Sequence, residues 1–158
     1  MDKRKMLIII PAVLVIGLAS FWVNKTYFSD DSPQKIGDKF NVLSLNNKGS
    51  GPDENLSFSS FNGTMTLKTL NATKGDVINL TCNSKIADGN AKIYMLDSND
   101  NVVWESTTNG TVKKQINVST TQKYSLRLSG SASNGSEAIK IKSSGNVDIE
   151  DKNFWDNN

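Results

Sequence analysis

The stretch that decides the fold is residues 92–107, KIYMLDSNDNVVWEST, in which two short apolar runs flank a polar pentapeptide. Ile93 and Met95 alternate with other residues before the pentapeptide, and Val102 and Trp104 do so after it. A period of two residues is typical of half-buried β-strands, and an Asp/Asn-rich centre is typical of a turn. The stretch therefore predicts a β-hairpin.

The same alternation recurs in six other short runs, each bounded by turn residues such as Gly, Asn and Asp: 56–61, 64–70, 76–82, 111–118, 123–128 and 137–142. Together with the two halves of the hairpin they make about eight strands, and no helical pattern follows residue 28. The sequence predicts an all-β protein, an antiparallel β-sandwich of jelly-roll-like form, with a closed barrel as the alternative.

The N-terminus has a different composition. Residues 6–23, MLIIIPAVLVIGLASFWV, are uncharged and follow a cationic cluster at Lys3, Arg4 and Lys5. A helix of that length spans about 27 Å, close to the hydrocarbon thickness of a bilayer. The charge asymmetry predicts a single-pass cell-membrane protein with a cytoplasmic N-terminus and an extracellular C-terminal domain. The alternative is a signal peptide cleaved between Ala19 and Ser20, which would release the domain as a secreted protein.

Composition then divides the chain into four segments. Residues 1–28 form the predicted signal-anchor or transmembrane segment, and residues 29–54 are rich enough in Ser, Asn, Asp, Gly and Pro to predict a flexible linker. A short strand at 40–45 is the alternative within that linker. Residues 55–142 are the predicted sandwich and residues 143–158 a C-terminal tail.

Several kinds of chemistry are excluded by composition. The chain has no His and one Cys, so it cannot build a Ser-His-Asp triad, a Cys-His pair or a Cys-based zinc cluster. Its 18 basic and 16 acidic residues are interspersed, which argues against a nucleic-acid partner. We predict no cofactor and no enzymatic activity. A hydrolase using Asp97 or Asp100 with Glu105 is a weaker alternative.

The pentapeptide at 97–101 could also hold calcium, because Asp97, Asn99 and Asn101 occupy alternate positions as in an EF-hand loop. The sixth position of that loop lacks Gly and the twelfth lacks Glu, so a turn is the favoured interpretation. The remaining metal hypothesis is a weak Ca²⁺ site completed by a distant carboxylate, Asp76 or Asp88.

Three aromatic residues are candidate contacts for a ligand or partner. Tyr94 points opposite Ile93 and Met95, which predicts an exposed ring. Trp104 shares the face of Val102, so packing in the core is favoured over a sugar-binding platform. Trp155 lies in the tail, which either frays, with its aromatic residues folding back on the sandwich, or offers an exposed anchor. The single cysteine, Cys82, is predicted to be a buried free thiol, with a disulfide to a second chain as the alternative.

Four segments carry a resemblance to a known class: KGDVINL at 74–80, KIYMLD at 92–97, VVWE at 102–105 and YSLRLSG at 124–130. They resemble bacterial extracellular β-sandwiches of the pre-peptidase C-terminal type and related jelly-roll domains, over residues 64–141. The resemblance implies an accessory, adhesive or carbohydrate-contacting module and carries over no catalytic residue. The Lys-, Asn-, Ile- and Ser-rich composition is similar to that of low-GC Gram-positive bacteria, which would place the domain against the cell wall.

The predicted function is therefore a non-catalytic, membrane-anchored extracytoplasmic module that binds another surface protein or some other partner. A module that binds cell-wall polysaccharide is the first alternative. The second is a glycosylated eukaryotic ectodomain, because eight Asn-x-Ser/Thr sequons occur, at Asn24, Asn55, Asn62, Asn71, Asn79, Asn109, Asn117 and Asn134.

Overall fold

The computed structural model describes residues 37–106 and 109–152. All strands in this part of the chain are antiparallel and belong to one continuous sheet, with the central order β1-β3-β7-β4-β5 and with β2 and β8 also on β3 and β6 also on β4. The all-β prediction is confirmed. The strands are β1 (Lys39–Asn41), β2 (Ser44–Lys48), β3 (Asp53–Ala72), β4 (Val77–Leu96), β5 (Val102–Ser106), β6 (Gly110–Asn117), β7 (Gln122–Ser144) and β8 (Asp148–Asp151).

The sheet is folded over on itself across its three long strands, β3, β7 and β4. The ammonium nitrogen of Lys68 lies 2.5 Å from Oε2 of Glu54, although both residues belong to β3 and are fourteen positions apart. A straight strand would separate them by about 46 Å. The two ends of β3 therefore lie in two different layers, one on each side of the interior.

The bend has a defined backbone geometry. Ser60 in β3 and Ala132 in β7 take positive φ angles of 50° and 47°, and the pairing register of these strands shifts there. Two asparagines brace the bend reciprocally. The side-chain oxygen of Asn134 accepts a hydrogen bond of 2.9 Å from the Ser60 N–H, and that of Asn62 accepts one of 2.7 Å from the Ala132 N–H. In β4 the corresponding irregularity lies at Gly89, with φ 69°.

Each layer has a central set of three strand halves. The first layer contains β2, residues 53–59 of β3, 135–144 of β7, 77–86 of β4, and β6. The second layer contains β1, β8, residues 61–72 of β3, 122–133 of β7, 88–96 of β4, and β5. This is a β-sandwich built from one sheet.

A single apolar core fills the space between the layers. It takes inward side chains from both, including Met65, Leu67, Ile78, Leu80, Ile93, Met95, Leu126, Leu128, Ile139 and Ile141. These are the residues whose period-two alternation predicted inward positions. Burying each such side chain contributes about 1.5–3 kcal/mol relative to exposure, so their alternation decides which face of every strand turns inward.

One charged side chain, that of Lys68, reaches from the second layer to the first. Lys68 is fully buried and its ammonium group contacts both Glu54 of the first layer and Asp151 of β8. Glu54 is itself buried, whereas the Asp151 side chain is 45 % exposed and also accepts a hydrogen bond of 2.9 Å from the Gly51 N–H. The three charges therefore join the two layers at the edge of the core.

The segments on either side of the predicted sandwich contain strands, with β1 and β2 within residues 29–54 and β8 within 143–158. β1 and β2 agree with the alternative of a short strand at 40–45, whereas β8 has no counterpart in the predicted tail. The physical reason is that β3 would otherwise leave a long unpaired edge. β1, β2 and β8 all pair with it, and the Phe40 ring packs on Phe61 at a centroid distance of 5.8 Å.

The predicted membrane segment at 6–23 lies outside the described residues. Across residues 37–106 and 109–152, the structure contains no helix with the length and apolar character needed to cross a membrane.

Candidate functional site

A groove of about 300 Å³ opens on the solvent side of the first layer, across β2, β3, β7 and β4. We call it the outer groove. The side chains that face it are Asn46, Lys48, Asn55, Ser57, Asn83, Lys85, Ser136 and Ala138.

Strand register explains why a groove forms here. Ser57 lies opposite Ser136, and Asn55 lies opposite Ala138, so small side chains occupy the centre of the layer. Longer side chains occupy its flanks, with Lys48 on β2 and with Asn83 and Lys85 on β4. Side chains of one face recur at every second residue and adjacent strands lie about 4.8 Å apart, so this arrangement forms a floor with raised sides.

The chemistry of the groove is that of a site for polar ligands. Its amides and hydroxyls both donate and accept hydrogen bonds, and its two lysines add positive charge. Glu137 borders the groove through its backbone, but its carboxylate points into the interior, where it accepts a hydrogen bond from Ser84. A hydroxyl-rich ligand, neutral or negatively charged, matches these groups.

Two other depressions flank the irregularity in β4. Their volumes are about 540 and 370 Å³, and both are lined by Ile86, Ala87 and Asn109. The Asn109 side chain holds the local backbone, since it accepts a hydrogen bond of 2.6 Å from the Ile86 N–H and donates one of 3.2 Å to the Ile86 carbonyl. Asn109 therefore stabilises this segment rather than pointing freely at solvent.

A buried polar cluster lies beneath the first layer, on its interior side. The Glu137 carboxylate is buried and its Oε2 accepts hydrogen bonds from Ser84 Oγ at 2.6 Å and from Cys82 Sγ at 3.3 Å. Its other oxygen, Oε1, has no hydrogen-bond partner within the described part of the chain. Burial raises the pKa of Glu137, although the bonds from Ser84 and Cys82 oppose the shift.

Cys82 is buried, as predicted, and is a free cysteine. Burial, followed by the charge of Glu137, raises the pKa of its thiol to about 12. Because the thiolate is the reactive form, this cysteine behaves as a small apolar side chain and not as a nucleophile.

The raised pKa of Glu137 gives a testable pH dependence. Between the ordinary value of 4.5 and the raised value, the folded protein holds a proton that the unfolded chain has released, so this group makes stability fall as pH rises. We expect Glu137→Gln to gain stability over the wild type as the pH increases from 4.5 to 7.5. Urea unfolding of both proteins across that range measures the difference.

The lowered pKa values of Asp97 and Asp151 act in the opposite sense. Burial alone would raise the pKa of both carboxyl groups, but hydrogen bonds lower it by more. The main bonds come from Asn101 to Asp97 and from Lys68 to Asp151. The stability that these two carboxylates contribute is lost as pH falls. Because both are present in Glu137→Gln and in the wild type, this loss cancels from the difference in stability between the two proteins. A stability difference that stays constant across the pH range would contradict the role given to Glu137.

The prediction that Tyr94 is exposed is wrong, because its side chain is 0 % exposed. On the outer side of the second layer its ring lies near two cations, 6.0 Å from the Lys92 ammonium and 5.9 Å from the Arg127 guanidinium. Asp38, just before β1, binds Arg127 at 3.1 Å. Burial raises the pKa of Tyr94 to about 12. Tyr94 therefore supports a packed polar surface and does not present a free ring.

The other predicted aromatic contacts have different outcomes. Trp104 is 7 % exposed and belongs to the core, which confirms the packing interpretation over the sugar-platform alternative. Trp155 lies outside the described residues.

The pentapeptide at 97–101 forms the turn between β4 and β5, which confirms the hairpin. The Asp97 carboxylate accepts hydrogen bonds from the Asn99 and Asn101 N–H groups and from the Asn101 amide, at 2.8 to 3.1 Å. Asp100 takes a positive φ of 62°. The carboxylate that would begin a calcium loop thus organises the turn itself.

Two of the three carboxylates of the hydrolase alternative form structural contacts. Asp97 holds the turn, and Glu105 forms an ion pair of 3.1 Å with Lys92. Among the described residues, no group of three or more His, Cys, Asp or Glu side chains is placed to hold a metal ion.

The outer groove was not predicted from the sequence. Each of its residues lies at an outward position of a strand, and the alternation that identified the core residues also assigns these neighbours to the opposite face. That signal gives the face but not the strand order, and the groove depends on which strands are adjacent.

Comparisons with known proteins give only distant structural similarities. No family model matches the chain, and no curated protein matches it. It is similar to procruciferin, an 11S globulin from Brassica napus, with 20% identity over 63% of this chain and 22% of that chain and a TM-score of 0.30. It is also similar to the enzymatically active domain of tailspike protein 4 of bacteriophage CBA120, with 14% identity over 66% and 18% of the two chains and a TM-score of 0.31.

A third similarity is to Broad Bean Stain Virus, with 10% identity over 74% of this chain and 94% of that chain and a TM-score of 0.27. This chain spans less than a quarter of the globulin and of the tailspike chains. At such low identities and TM-scores, these similarities carry no argument about function.

Proposed function

We propose that this protein is a non-catalytic binding module, displayed outside the cell on an N-terminal membrane segment, and that the outer groove binds a hydroxyl-rich ligand such as cell-wall polysaccharide. The observation that carries the proposal is the composition of the groove. Three asparagines and two serines line the groove, with the serines in its floor of small side chains, over a volume of about 300 Å³. Convergent amides and hydroxyls of this kind suit the paired donors and acceptors of sugar hydroxyls.

The position of the groove also supports this proposal. Its centre lies on three long strands that are paired on both sides in the first layer, and β2 borders it on one side, so most of its side chains rest on rigid backbone. Binding to a preorganised surface avoids the entropy of ordering a loop. The resemblance to bacterial extracellular accessory modules points to the same class of function, and residues 6–23 would hold the module at the membrane.

A groove-filling substitution tests the proposal. Ser136→Leu places a bulky aliphatic side chain in the centre of the floor, where it would exclude a sugar ring without entering the core. We expect the affinity of the full chain for insoluble cell-wall polysaccharide to fall about tenfold, which corresponds to about 1.4 kcal/mol. Co-sedimentation with purified wall material measures the bound fraction.

Ser144→Leu is the matched control, because it makes the same change at the last residue of the same strand, outside the groove. It should bind like the wild type, and both variants should unfold within about 0.5 kcal/mol of it, as surface substitutions usually do. Equal binding by the two variants, or binding that disappears when wall proteins are stripped away, would count against a polysaccharide ligand.

A further inference from the structure

Positive charge is concentrated on one face of the sandwich. The outward positions of the first layer carry five lysines, Lys48, Lys85, Lys113, Lys140 and Lys142, which we call the basic face. The same outward positions carry one acidic residue, Asp53, whose carboxylate lies 3.8 Å from the Lys140 ammonium. Among the described residues, Lys140 is the member of this set that forms an ion pair.

The opposite face of the molecule is electrically balanced. On the outer side of the second layer, Lys92 is paired with Glu105, and Arg127 with Asp38. The remaining outward charges there are Lys39 and Lys123 against Asp148 and Glu150, with the exposed Asp88 at the bend of β4, so this face has no excess of positive charge. The chain has a net charge of only +2, so the excess positive charge of the first layer is a product of folding.

The basic face continues the outer groove. Lys48 and Lys85 flank the groove, Lys140 and Lys142 follow on the central strand β7, and Lys113 lies on the edge strand β6. Successive outward positions on one strand are about 6.8 Å apart and adjacent strands about 4.8 Å apart. The ammonium groups are therefore distributed over an extended surface and not gathered at one point, which favours a ligand with repeated charges over a single anion.

We propose that the basic face and the outer groove together bind a polyhydroxylated polymer that carries repeated negative charges, either phosphate or carboxylate. This inference rests on the proposed function and names its ligand class. The amides and hydroxyls of the groove contact the polyol, and the lysines contact the anions. Exposed lysines contribute mainly through long-range attraction, so binding is steered electrostatically and weakens with salt.

The composition of the face separates this ligand from single-stranded nucleic acid. Sheets that bind single-stranded nucleic acid stack the bases on aromatic side chains. Within residues 37–106 and 109–152, the outward positions of the first layer carry Lys, Asn, Gln, Ser, Thr, Ala, Val and one Asp, but no aromatic residue. The surface offers hydrogen bonds and charge without a stacking platform.

The test compares two hydroxylated polymers that carry repeated negative charge with a hydroxylated polymer that is neutral. The full chain is measured against immobilised poly(glycerol phosphate), polygalacturonate and neutral dextran at 50 and 200 mM NaCl. We expect binding to at least one anionic polymer that is about tenfold tighter than to dextran at low salt and that weakens at high salt. Binding to the phosphate polymer alone, or to the uronate alone, supports the proposal and identifies the anion.

A charge-matched pair of triple variants locates the site. Replacing Lys113, Lys140 and Lys142 by Gln removes three charges from the basic face but leaves the groove intact. We expect it to weaken anionic binding about tenfold and to leave dextran binding unchanged. Replacing Lys39, Lys74 and Lys123 by Gln removes the same charge elsewhere on the surface, and we expect less than about a twofold effect.

The outcomes separate the two proposals. Equal binding of dextran and the anionic polymers, unaffected by either triple variant, would overturn the basic-face inference and leave the groove as the site. Failure of every polymer to bind would overturn both. A single-stranded or duplex DNA oligonucleotide that binds as tightly as the anionic polymers, with the same sensitivity to the basic-face lysines, would also overturn the assignment to a polyol.

Discussion

Lys68→Ala should lower the free energy of unfolding by about 3–5 kcal/mol. The substitution removes the ammonium group that Glu54 and Asp151 share, and it leaves the buried Glu54 carboxylate without its counter-charge. One oxygen of that carboxylate, Oε1, already has no hydrogen-bond partner among the described residues. Urea unfolding of the full chain in mild detergent, followed by tryptophan fluorescence, gives the difference.

Two controls show that the effect comes from an uncompensated buried charge. Lys140→Ala breaks an ion pair whose two side chains are 59% and 51% exposed, and it should change stability by less than about 1 kcal/mol. Replacing both partners with apolar residues, Lys68→Met together with Glu54→Leu, should recover most of the stability lost in Lys68→Ala. A loss below about 1 kcal/mol for Lys68→Ala would contradict the account of how the layers are joined.

Phe61→Ala should cost about 3–5 kcal/mol, the range for truncating a fully buried phenylalanine. Phe61 lies at the bend of β3, with ring centroids 5.7 Å from Phe58 and 5.8 Å from Phe40. A Cβ on Gly130 of β7 would lie 2.6 Å from Phe61 Cδ1, so the ring occupies the space that a side chain at position 130 would need. Because position 130 has no side chain, β7 offers none there to fill the cavity left by Phe61→Ala. The same unfolding measurement applies.

Leu43→Ala is the comparison for that experiment. Leu43 is 81% exposed in the connection between β1 and β2, so its truncation should change stability by less than about 0.5 kcal/mol. If Phe61→Ala proved no more destabilising than Leu43→Ala, the bend would not be held by this aromatic cluster.

The sequence predicts the inward face of the strands well but not their length. Met65, Leu67, Ile93 and Met95 are buried as their alternation predicts, because a period of two is set by backbone geometry and needs no long-range information. The predicted strands 56–61 and 64–70, in contrast, are one strand, β3. Likewise, β4 contains the predicted strands 76–82 and 91–96, and β7 contains the predicted strands 123–128 and 137–142.

The break points explain that error. Gly63, Gly89 and the Gly130–Gly135 region resemble turns in the sequence, but each marks a bend at which the same strand passes from one layer to the other. A Cβ at Gly63 would lie 2.1 Å from the Lys39 carbonyl oxygen, and one at Gly89 would lie 2.3 Å from that of Ala132. Glycine is needed here for close approach of neighbouring strands, and composition alone does not distinguish that need from a turn.

The candidate site depends on strand neighbours, which local patterns do not contain. Lys140 and Lys142 are visibly on one face of β7, since they alternate with the buried Ile139 and Ile141. Their combination with Lys48 and Lys113 arises only because β2 and β6 flank the layer. Tyr94 was misplaced for a related reason. Its outward position was predicted correctly, but the cations and the Asp38 segment that cover it come from other parts of the chain.

The most direct test of the central claim is a lysine-acetylation footprint of the full chain, free and bound to poly(glycerol phosphate) or polygalacturonate, read by mass spectrometry. The account predicts that Lys48, Lys85, Lys113, Lys140 and Lys142 become protected in the complex. Lys39, Lys74 and Lys123, elsewhere on the surface, should react as they do in the free protein. Equal protection of the two sets, or protection confined to the second set, would contradict the assignment of the basic face and outer groove as the binding surface.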